Sequence, residues 1–253
     1  MNPRTILVTG ASRGIGAALA RAYAAPGVTL GLLGRDAGTL RGVADACREA
    51  GAGASEIVAD IRERDELKSR LLAFDAEHPV DLVIANAGVQ LPTGDDAATT
   101  VASYAEIEVN LLGALNSVLP FLEPMRARGN GQIALVSSLA AFAPLPDSPG
   151  YSASKAALIA YGLAMRERLR GSGIRLSVVC PGYVETEMGS RYRGWRPLSM
   201  PADKAAGHIR RGLERDRPII AFPRSLALLA RVSTLVPEPI RRPFMGGFRF
   251  SYE

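Results

Sequence analysis

The sequence predicts an α/β fold, a doubly wound parallel sheet of about seven strands with helices on both faces. Short apolar runs alternate with amphipathic segments at the spacing of helical crossovers for six rounds, a pattern typical of such sheets. A glycine-rich stretch, residues 9–16, follows directly after the first apolar run. The length of 253 residues, with 47% hydrophobic and 22% charged residues, suits one globular domain over residues 1–253.

The strands are predicted from short apolar runs, because strands buried on both faces of a sheet lack polar alternation. They cover residues 5–9, 28–33, 56–59, 81–85, 132–137, 175–180 and 218–222. Helices are predicted at residues 15–25, 36–50, 62–77, 101–125, 151–170 and 202–215. Pro120 and Pro124 are expected to disturb the fourth helix, and Asp36 has the residue type and position of an N-cap.

The regular alternation breaks after Pro181. Residues 182–216 begin with a long irregular stretch that holds the single tryptophan, Trp195. Loops of this length are usually functional, so we expect a substrate-loop region here. Residues 223–253 form an atypical basic and apolar C-terminal segment. From residue 189 onwards the chain has 13 Arg or Lys against 5 Asp or Glu, whereas the first 188 residues have 17 against 20.

Residues 226–236 have the apolar content of an amphipathic helix, flanked by Arg224, Arg231, Arg241 and Arg242. The stretch is too short and too charged to span a bilayer. Packing in the core or at a subunit interface is the favoured interpretation. The alternative is peripheral contact with an anionic membrane surface, which would admit a lipophilic carbonyl compound. The basic charge has no recognisable nucleic-acid module beside it, so no nucleic-acid partner is predicted.

Other features of the composition narrow the class of protein. Two histidines and two cysteines, with no clustered carboxylates, predict no metal site. Cys180 lies in an apolar run and is expected to be a buried structural thiol. The N-terminus leads directly into a strand and lacks the apolar core of a signal peptide. A cytoplasmic setting is therefore expected.

The glycine-rich stretch T-G-A-S-R-G-I-G lies between the first strand and the first helix. Glycines allow a tight turn and a close approach of backbone, and the helix N-terminus offers free N–H groups to a pyrophosphate. The spacing differs from the common G-x-G-x-x-G fingerprint. Its position at the first strand–helix junction still predicts a Rossmann-like, three-layer dinucleotide-binding domain.

Tyr151 and Lys155 are four residues apart at the start of a predicted helix. Side chains at this spacing lie on one helix face. Ser137 and Ser138 end the preceding strand, and either hydroxyl could join them. Together these groups indicate proton-transfer chemistry.

These motifs resemble the short-chain dehydrogenase/reductase family, in its compact single-domain branch. They occur in family order from residue 9 to residue 186, about three-quarters of the chain. They are T-G-x-x-x-G-I-G at residues 9–16, N-A-G at 86–88, Asn110 in V-N-L-L-G, Ser138, Y-S-A-S-K at 151–155 and P-G-Y-V-E-T at 181–186.

The resemblance implies a role for each of four catalytic residues. Tyr151 would be the general acid in reduction and the general base in oxidation, with its pKa lowered by Lys155 and the oxidised nicotinamide. Lys155 would also hold the nicotinamide ribose. Ser138, rather than Ser137, would polarise the substrate carbonyl. Asn110 would organise a water behind Lys155. The alternative is that its polar side chain satisfies the hydrogen-bonding groups of a kinked helix.

The resemblance also implies the cofactor contacts. Asp60 would meet the adenine ring and Thr186 the nicotinamide carboxamide. NADP(H) is predicted over NAD(H), because Gly34 stands where an NAD-binding acid is usual and Arg13 and Arg35 suit a 2′-phosphate. The predicted set is Gly10, Ser12, Arg13, Gly14, Ile15, Gly16, Arg35, Asp60, Ile61, Asn86, Ala87, Gly88, Tyr151, Lys155, Pro181, Gly182, Val184 and Thr186.

The predicted function is an NADP(H)-dependent oxidoreductase that interconverts a carbonyl compound and a secondary alcohol, with a substrate that is small or lipophilic. The alternative from another class is a non-catalytic NADP-binding sensor or scaffold. The retained catalytic residues disfavour it. An epimerase or dehydratase would carry a larger C-terminal domain, and an enoyl reductase would space its tyrosine and lysine further apart. The resemblance also implies a homodimer or homotetramer, built partly on the long helices.

Overall fold

The computed structural model describes residues 3–190, 192–193, 196–237 and 251–252. For residues 192–193 and 251–252 it describes the backbone alone. Trp195, Arg241 and Arg242 lie outside this range, as does most of the C-terminal segment after residue 237. The irregular stretch after Pro181 contains short elements, β7 (Val184–Glu185), α8 (Glu187–Ser190), β8 (Tyr192–Arg193) and β9 (Met200–Pro201). β7 pairs with β9, and β8 pairs with β11 (Ser251–Tyr252).

Seven parallel strands form the central sheet, which confirms the predicted fold class. Their order is β10-β6-β5-β4-β1-β2-β3. The strands are β1 (Thr5–Thr9), β2 (Thr29–Gly34), β3 (Gly53–Val58), β4 (Leu82–Ala85), β5 (Gly131–Val136), β6 (Ile174–Pro181) and β10 (Ile219–Phe222). The chain builds outwards from β1 to β3 and then crosses to β4 on the other side of β1. The carboxyl ends of β1 and β4 therefore form the topological switch point, where ligands of such sheets bind.

Helices cover both faces of the sheet. They are α1 (Gly14–Tyr23), α2 (Ala37–Glu49), α3 (Arg64–Glu77), α4 (Asp96–Ile107), α5 (Ala114–Val118), α6 (Leu122–Arg128), α7 (Pro149–Arg168), α9 (Ala202–Glu214) and α10 (Arg224–Ser233). Residues from α1, α2 and α9 share one hydrophobic core with one face of the sheet. Residues from α3, α5, α6 and α7 form the other core. Cys47 and Cys180 are both buried with free thiols.

The long helix predicted at residues 101–125 is the largest difference from the sequence prediction. It begins five residues earlier, at Asp96, where Asp95 caps α4 by accepting the N–H of Ala98 at 2.8 Å. It then widens into a π-helical segment, Glu108–Gly113, and narrows to a 3₁₀ turn, Leu119–Phe121, around Pro120. The predicted disturbance at Pro120 is confirmed, whereas the π-helical segment was not expected.

Candidate active site

The glycine turn after β1 is packed directly against the end of β4. Gly10 has φ of +66°, and a Cβ on it would lie 2.8 Å from the Cα of Ala87. A Cβ on Gly16 would lie 2.1 Å from the carbonyl oxygen of Gly10. Gly14, with φ of +56°, faces the methyl group of Thr186. Side chains at these positions would fill the turn, which explains the glycine spacing.

Thr9 and Asn86 hold this turn from β4. The Thr9 hydroxyl oxygen accepts the backbone N–H groups of Asn86 at 3.1 Å and Ala87 at 3.0 Å. The Asn86 side chain donates to the carbonyls of Thr9 at 3.0 Å and Gly10 at 3.3 Å. Thr9 is fully buried. The sequence prediction included Asn86 but not Thr9, whose role depends on a contact across the sheet.

The first turn of α1 fits an anionic group. Among the described residues no side chain caps this N-terminus, and no acid lies in its first turn. Its free N–H groups and the positive end of the helix dipole therefore face the open turn. A dinucleotide pyrophosphate matches this donor set.

The end of β2 lies beside the same turn. A Cβ on Gly34 would lie 2.3 Å from the Ser12 hydroxyl oxygen, so no side chain fits there without movement of Ser12. Asp36 caps α2 as predicted, accepting the Thr39 N–H at 2.7 Å. Its carboxylate is thereby committed to the helix, and this N–H is the main cause that lowers the Asp36 pKa.

Two predicted arginines border this region. Arg35 is about two-thirds exposed, and its guanidinium lies 4.0 Å from the Asp60 carboxylate. Asp60 is held more closely by Arg62, at 2.8 Å, and this hydrogen-bonded pair lowers the Asp60 pKa. Arg13 bonds to Glu187 in α8, across the opening between the glycine turn and residues 181–186. The sequence prediction contained neither Arg62 nor Glu187.

The remaining cofactor candidates surround the site. Ile61 is buried against Gly113, and its carbonyl accepts the Asn116 side chain at 3.0 Å.

Gly182 donates its N–H to the carbonyl of Phe222 at 2.8 Å. Val184 is buried, and the Thr186 hydroxyl accepts the Gly189 N–H at 3.1 Å. These contacts hold residues 181–186 between the sheet and α8, facing the glycine turn through Gly14.

Tyr151 lies in the first turn of α7 and is half-buried. Burial raises the pKa of Tyr151, the Ser138 hydrogen bond opposes this shift, and the charge of Glu106 adds to it. The net direction is opposite to the lowering expected from Lys155. The Lys155 ammonium lies over the ring, 5.6 Å from its centroid.

Lys155 is almost completely buried, with 4% exposure. Its ammonium donates to the carbonyl of Val136 at 2.9 Å, and burial lowers its pKa to about 8. A Cβ on Gly88 would lie 3.3 Å from this nitrogen and 2.9 Å from the Asn110 carbonyl oxygen. Gly88 thus keeps a small space open between the two side chains.

The two serines differ in what they contact. The buried Ser137 hydroxyl donates to the Lys155 carbonyl at 2.6 Å, on the α7 backbone. Ser138 is half-buried and lies near the Tyr151 hydroxyl, where its own hydroxyl favours a lower Tyr151 pKa. Its hydroxyl oxygen also accepts the N–H of Ala140 at 3.1 Å. Of the two serines, only Ser138 affects the Tyr151 hydroxyl.

Asn110 is fully buried in the π-helical segment. Its carbonyl oxygen accepts the Val89 N–H at 2.7 Å, and its amide donates to the Val89 carbonyl at 2.8 Å and to Ser154 at 3.2 Å. The side chain thus joins the loop after β4 to α7. Both earlier interpretations remain compatible with these contacts, because the carbonyl oxygen still borders the space beside Gly88.

Fold and site together define an α/β dinucleotide-binding protein with a tyrosine and a lysine beside the cofactor cradle. A family model for short chain dehydrogenases matches residues 4–197. An uncharacterised oxidoreductase of Myxococcus xanthus is 34% identical over 241 residues, 95% of each chain. The protein therefore belongs to the short-chain dehydrogenase family, and its general class is an oxidoreductase.

Solved structures give the same result for the fold. A short-chain dehydrogenase from Sphingobium yanoikuyae in complex with NADPH superimposes with a TM-score of 0.80 at 26% identity, over 97% of this chain and 96% of that one. A short-chain dehydrogenase from Mycobacterium paratuberculosis bound to NAD has a TM-score of 0.76 over 86% and 94% of the two chains. At 24% identity, this similarity is one of fold alone. Relatives of this fold therefore hold either nicotinamide cofactor.

Proposed function

We propose that the protein is an NADP(H)-dependent oxidoreductase that transfers a hydride between the nicotinamide and a carbonyl compound or secondary alcohol. The observation that carries this proposal is the half-buried Tyr151 beside Ser138, with the Lys155 ammonium over its ring. These groups lie at the carboxyl edge of the sheet, next to the glycine turn. A proton donor and an anion cradle are thus brought together.

The cofactor would be held by groups already described. The turn from Gly10 to Gly16 and the N-terminus of α1 would take the pyrophosphate. Asp60 and Ile61 would border the adenine, and Thr186 would face the nicotinamide. The bound nicotinamide supplies or accepts the hydride. The residues of this chain supply orientation and proton transfer.

Tyr151 would donate its proton to the carbonyl oxygen during reduction. Its raised pKa keeps the hydroxyl protonated near neutral pH, as a general acid requires. Ser138 would hydrogen-bond the same oxygen, which polarises the carbonyl and stabilises the charge that develops there. In oxidation the two residues reverse their roles.

Lys155 would stabilise the phenolate that Tyr151 leaves behind. Its pKa of about 8 keeps most of the side chain protonated at neutral pH. In the low dielectric of a buried site a cation near the phenolate acts strongly. Asn110 and the space beside Gly88 would provide a path by which Tyr151 regains its proton through water.

The preference for NADP(H) follows from the end of β2. Gly34 stands where the acid that binds a ribose 2′-hydroxyl is usual, and an acid there would have to displace the Ser12 hydroxyl. The exposed guanidinium of Arg35 lies at the same edge. An arginine can bind a phosphate through two hydrogen bonds, so this edge suits a 2′-phosphate.

A lipophilic substrate and a peripheral membrane contact are supported by α10. Its buried side carries the small residues Ala227 and Ala230, whereas Leu228 and Leu229 are 64% and 61% exposed. Core packing therefore does not account for Leu228 and Leu229. No helix in the described part of the chain could cross a membrane.

A cleft of about 190 Å³ beside this face is lined in part by Arg217, Arg224 and Arg231. Across residues 3–190 and 196–237, no carboxylate pairs with them. This charge favours an anionic surface over a subunit interface at α10. Homo-oligomer formation would instead use the helical segments from α4 to α7.

The reaction is tested by a screen of ketones with NADPH and of alcohols with NADP⁺, with Tyr151→Phe as the matched variant. We expect Tyr151→Phe to bind NADPH normally and to lose activity by a factor of about 10²–10⁴. Undiminished turnover in Tyr151→Phe would exclude the mechanism. NADPH binding without turnover of any substrate would favour the sensor or scaffold alternative.

The membrane contact is tested by sedimentation with vesicles of phosphatidylglycerol or phosphatidylcholine. We expect binding to the anionic vesicles alone, and its loss in Leu229→Ser and Arg224→Glu. Val101→Ser, which changes an exposed valine on α4, is the control. Equal sedimentation of all variants would exclude the contact, and a smaller oligomer in Leu229→Ser would identify a subunit interface.

A further inference from the structure

Glu106 is a fully buried carboxylate for which the proposed chemistry has no role. It lies in α4 with 0% exposure. One carboxylate oxygen, Oε1, accepts the Leu91 N–H at 2.9 Å and the Ser148 hydroxyl at 3.5 Å. The other, Oε2, has no hydrogen-bond partner among the described residues. Burial of a carboxylate with one oxygen unpaired is costly, which indicates a function for this group.

The carboxylate faces the first turn of α7. The Ser148 side chain makes no capping bond there, although its hydroxyl contacts Glu106. The N–H groups of Leu91 and Tyr151 oppose the burial that raises the Glu106 pKa. A Cβ on Gly150 would lie 2.8 Å from Oε2, so glycine lets the helix approach this closely. Glu106 thus supplies the negative charge that a helix N-terminus favours.

The same contacts join the loop after β4 to the loop before α7. Leu91 belongs to the first loop, and Ser148 ends the second. Gln90 donates to the Ser148 hydroxyl at 3.1 Å, and the Thr93 hydroxyl donates to the Asp147 carbonyl at 2.6 Å. Glu106 is the charged group among these contacts.

We propose that Glu106 is a positioning residue, which fixes the backbone of Tyr151 and the two adjoining loops through the first turn of α7. The inference rests on the proposed function, since it takes Tyr151 as the proton donor. Glu106 acts through Tyr151 and touches neither substrate nor cofactor.

Electrostatics gives this role a measurable signature. The charge of Glu106 from α4 raises the Tyr151 pKa, and the hydrogen bond from Ser138 lowers it. Lys155 faces the Tyr151 ring and lies on the same helix as Tyr151, α7. Cys180 in β6 in turn faces Lys155. Removal of the Glu106 charge should therefore lower the pKa of the phenol. A purely structural residue would leave that pKa unchanged.

The test compares Glu106→Gln with Glu106→Asp. Gln keeps an acceptor for Leu91 but removes the negative charge that faces the first turn of α7, so we expect kcat for reduction to fall roughly tenfold or more, with KM for NADPH unchanged. The high-pH limb of kcat should move to lower pH. Asp keeps the charge but is shorter, so kcat should fall while that limb stays near its wild-type position.

Tyrosine ring ¹³C NMR measures the phenol directly, with Tyr151→Phe to identify its signal among seven tyrosines. In Glu106→Gln we expect the Tyr151 pKa to fall by about half a unit or more. This readout needs no turnover, so it stays informative even if the proposed reaction is wrong. Ser148→Ala, which removes the second contact to Oε1, should lower kcat as well and serves if Glu106→Gln does not fold.

Asp75→Asn is the matched control. Asp75 is a buried carboxylate away from the site, which accepts the Val80 N–H at 2.9 Å and pairs with Arg128. We expect it to lower stability without any change in the Tyr151 titration. Wild-type kcat and titration in Glu106→Gln, or an equal titration shift in Asp75→Asn, would overturn the proposal.

Discussion

Gly34 ends β2 directly against Ser12, so a Cβ at residue 34 would lie 2.3 Å from the serine hydroxyl oxygen. Ser12 belongs to the glycine turn, and Gly34 occupies the position where an acid would select NAD. An acid at residue 34 would therefore have to displace the Ser12 hydroxyl, before any charge is considered. The cofactor preference proposed above has a steric part as well as an electrostatic part.

A single acid at residue 34 is expected to fail as a switch of cofactor. Gly34→Asp should lower the free energy of unfolding by about 1–3 kcal/mol, since it forces Ser12 out of place, and should weaken binding of both cofactors. Gly34→Asp combined with Ser12→Gly should recover stability and bind NADH relatively better. Chemical denaturation and cofactor titration measure both effects.

Gly42→Asp provides the control, because a Cβ there meets nothing within 4 Å. It should leave stability and both affinities close to the wild type. A stable Gly34→Asp variant with unchanged NADPH affinity would contradict the steric argument.

Arg35 is expected to contribute to NADPH binding and little to stability. Its pairing with Asp60 is exposed and 4.0 Å long, and such surface pairs contribute little. Arg35→Ala should raise the Kd for NADPH about ten- to a hundredfold, through loss of a charge-assisted contact of about 1.5–3 kcal/mol. The Kd for NADH should change less than twofold.

Arg41→Ala is the matched control for that measurement. Arg41 lies on α2, is exposed, and is 3.7 Å from Glu56. Its removal should alter neither affinity. Equal losses for NADPH and NADH in Arg35→Ala would place Arg35 outside the 2′-phosphate site.

Thr9 is expected to stabilise the glycine turn through its hydroxyl oxygen. Thr9→Val keeps the shape but leaves the buried N–H of Ala87 without its partner at 3.0 Å. The free energy of unfolding should fall by about 1–3 kcal/mol, with weaker NADPH binding. Thr9→Ser keeps the oxygen and should lose less than half as much. Equal losses in the two variants would assign the effect to packing.

Lys155 is expected to reduce stability at neutral pH. Its pKa falls from an ordinary 10.5 to about 8 on folding, so the unfolded chain binds the proton more tightly. This cost, at most about 3 kcal/mol, is fully present below pH 8 and disappears as the pH rises to 10.5. Lys155→Met should therefore be inactive but more stable by about 1–3 kcal/mol at pH 7, after the loss of the bond to Val136.

Denaturation at pH 7 and at pH 10.5 measures the difference between wild type and Lys155→Met. The advantage of the variant should shrink at the higher pH, since wild-type Lys155 is then neutral in the folded state and only half protonated in the unfolded state. A constant difference would show that the ammonium is not the cause.

Local patterns sufficed to predict the sheet, the glycine turn and the helix that carries Tyr151 and Lys155. Apolar runs and their spacing identify buried parallel strands, and an i, i+4 pair such as Tyr151 and Lys155 shares a helix face wherever that helix packs. The cap formed by Asp36 was predictable for the same reason, since its partner Thr39 is three residues away.

Tertiary structure decided the relationships between distant residues. Ser138 meets Tyr151 while Ser137 bonds to the α7 backbone, which depends on how the strand end turns under the helix. The direction of the Tyr151 pKa shift depends on burial, which no local pattern gives. The exposure of Leu228 and Leu229 likewise depends on the tertiary structure, in which α10 packs its alanines against the core.

By itself the sequence determined the fold class and the family, because those depend on spacing along the chain, and it supplied the residues of the proposed chemistry. Only the tertiary structure placed Ser12 against Gly34 and the Glu106 carboxylate against the first turn of α7. Glu106 is 45 residues from Tyr151 along the chain. The Glu106 charge raises the Tyr151 pKa because folding removes the water that would otherwise screen that charge.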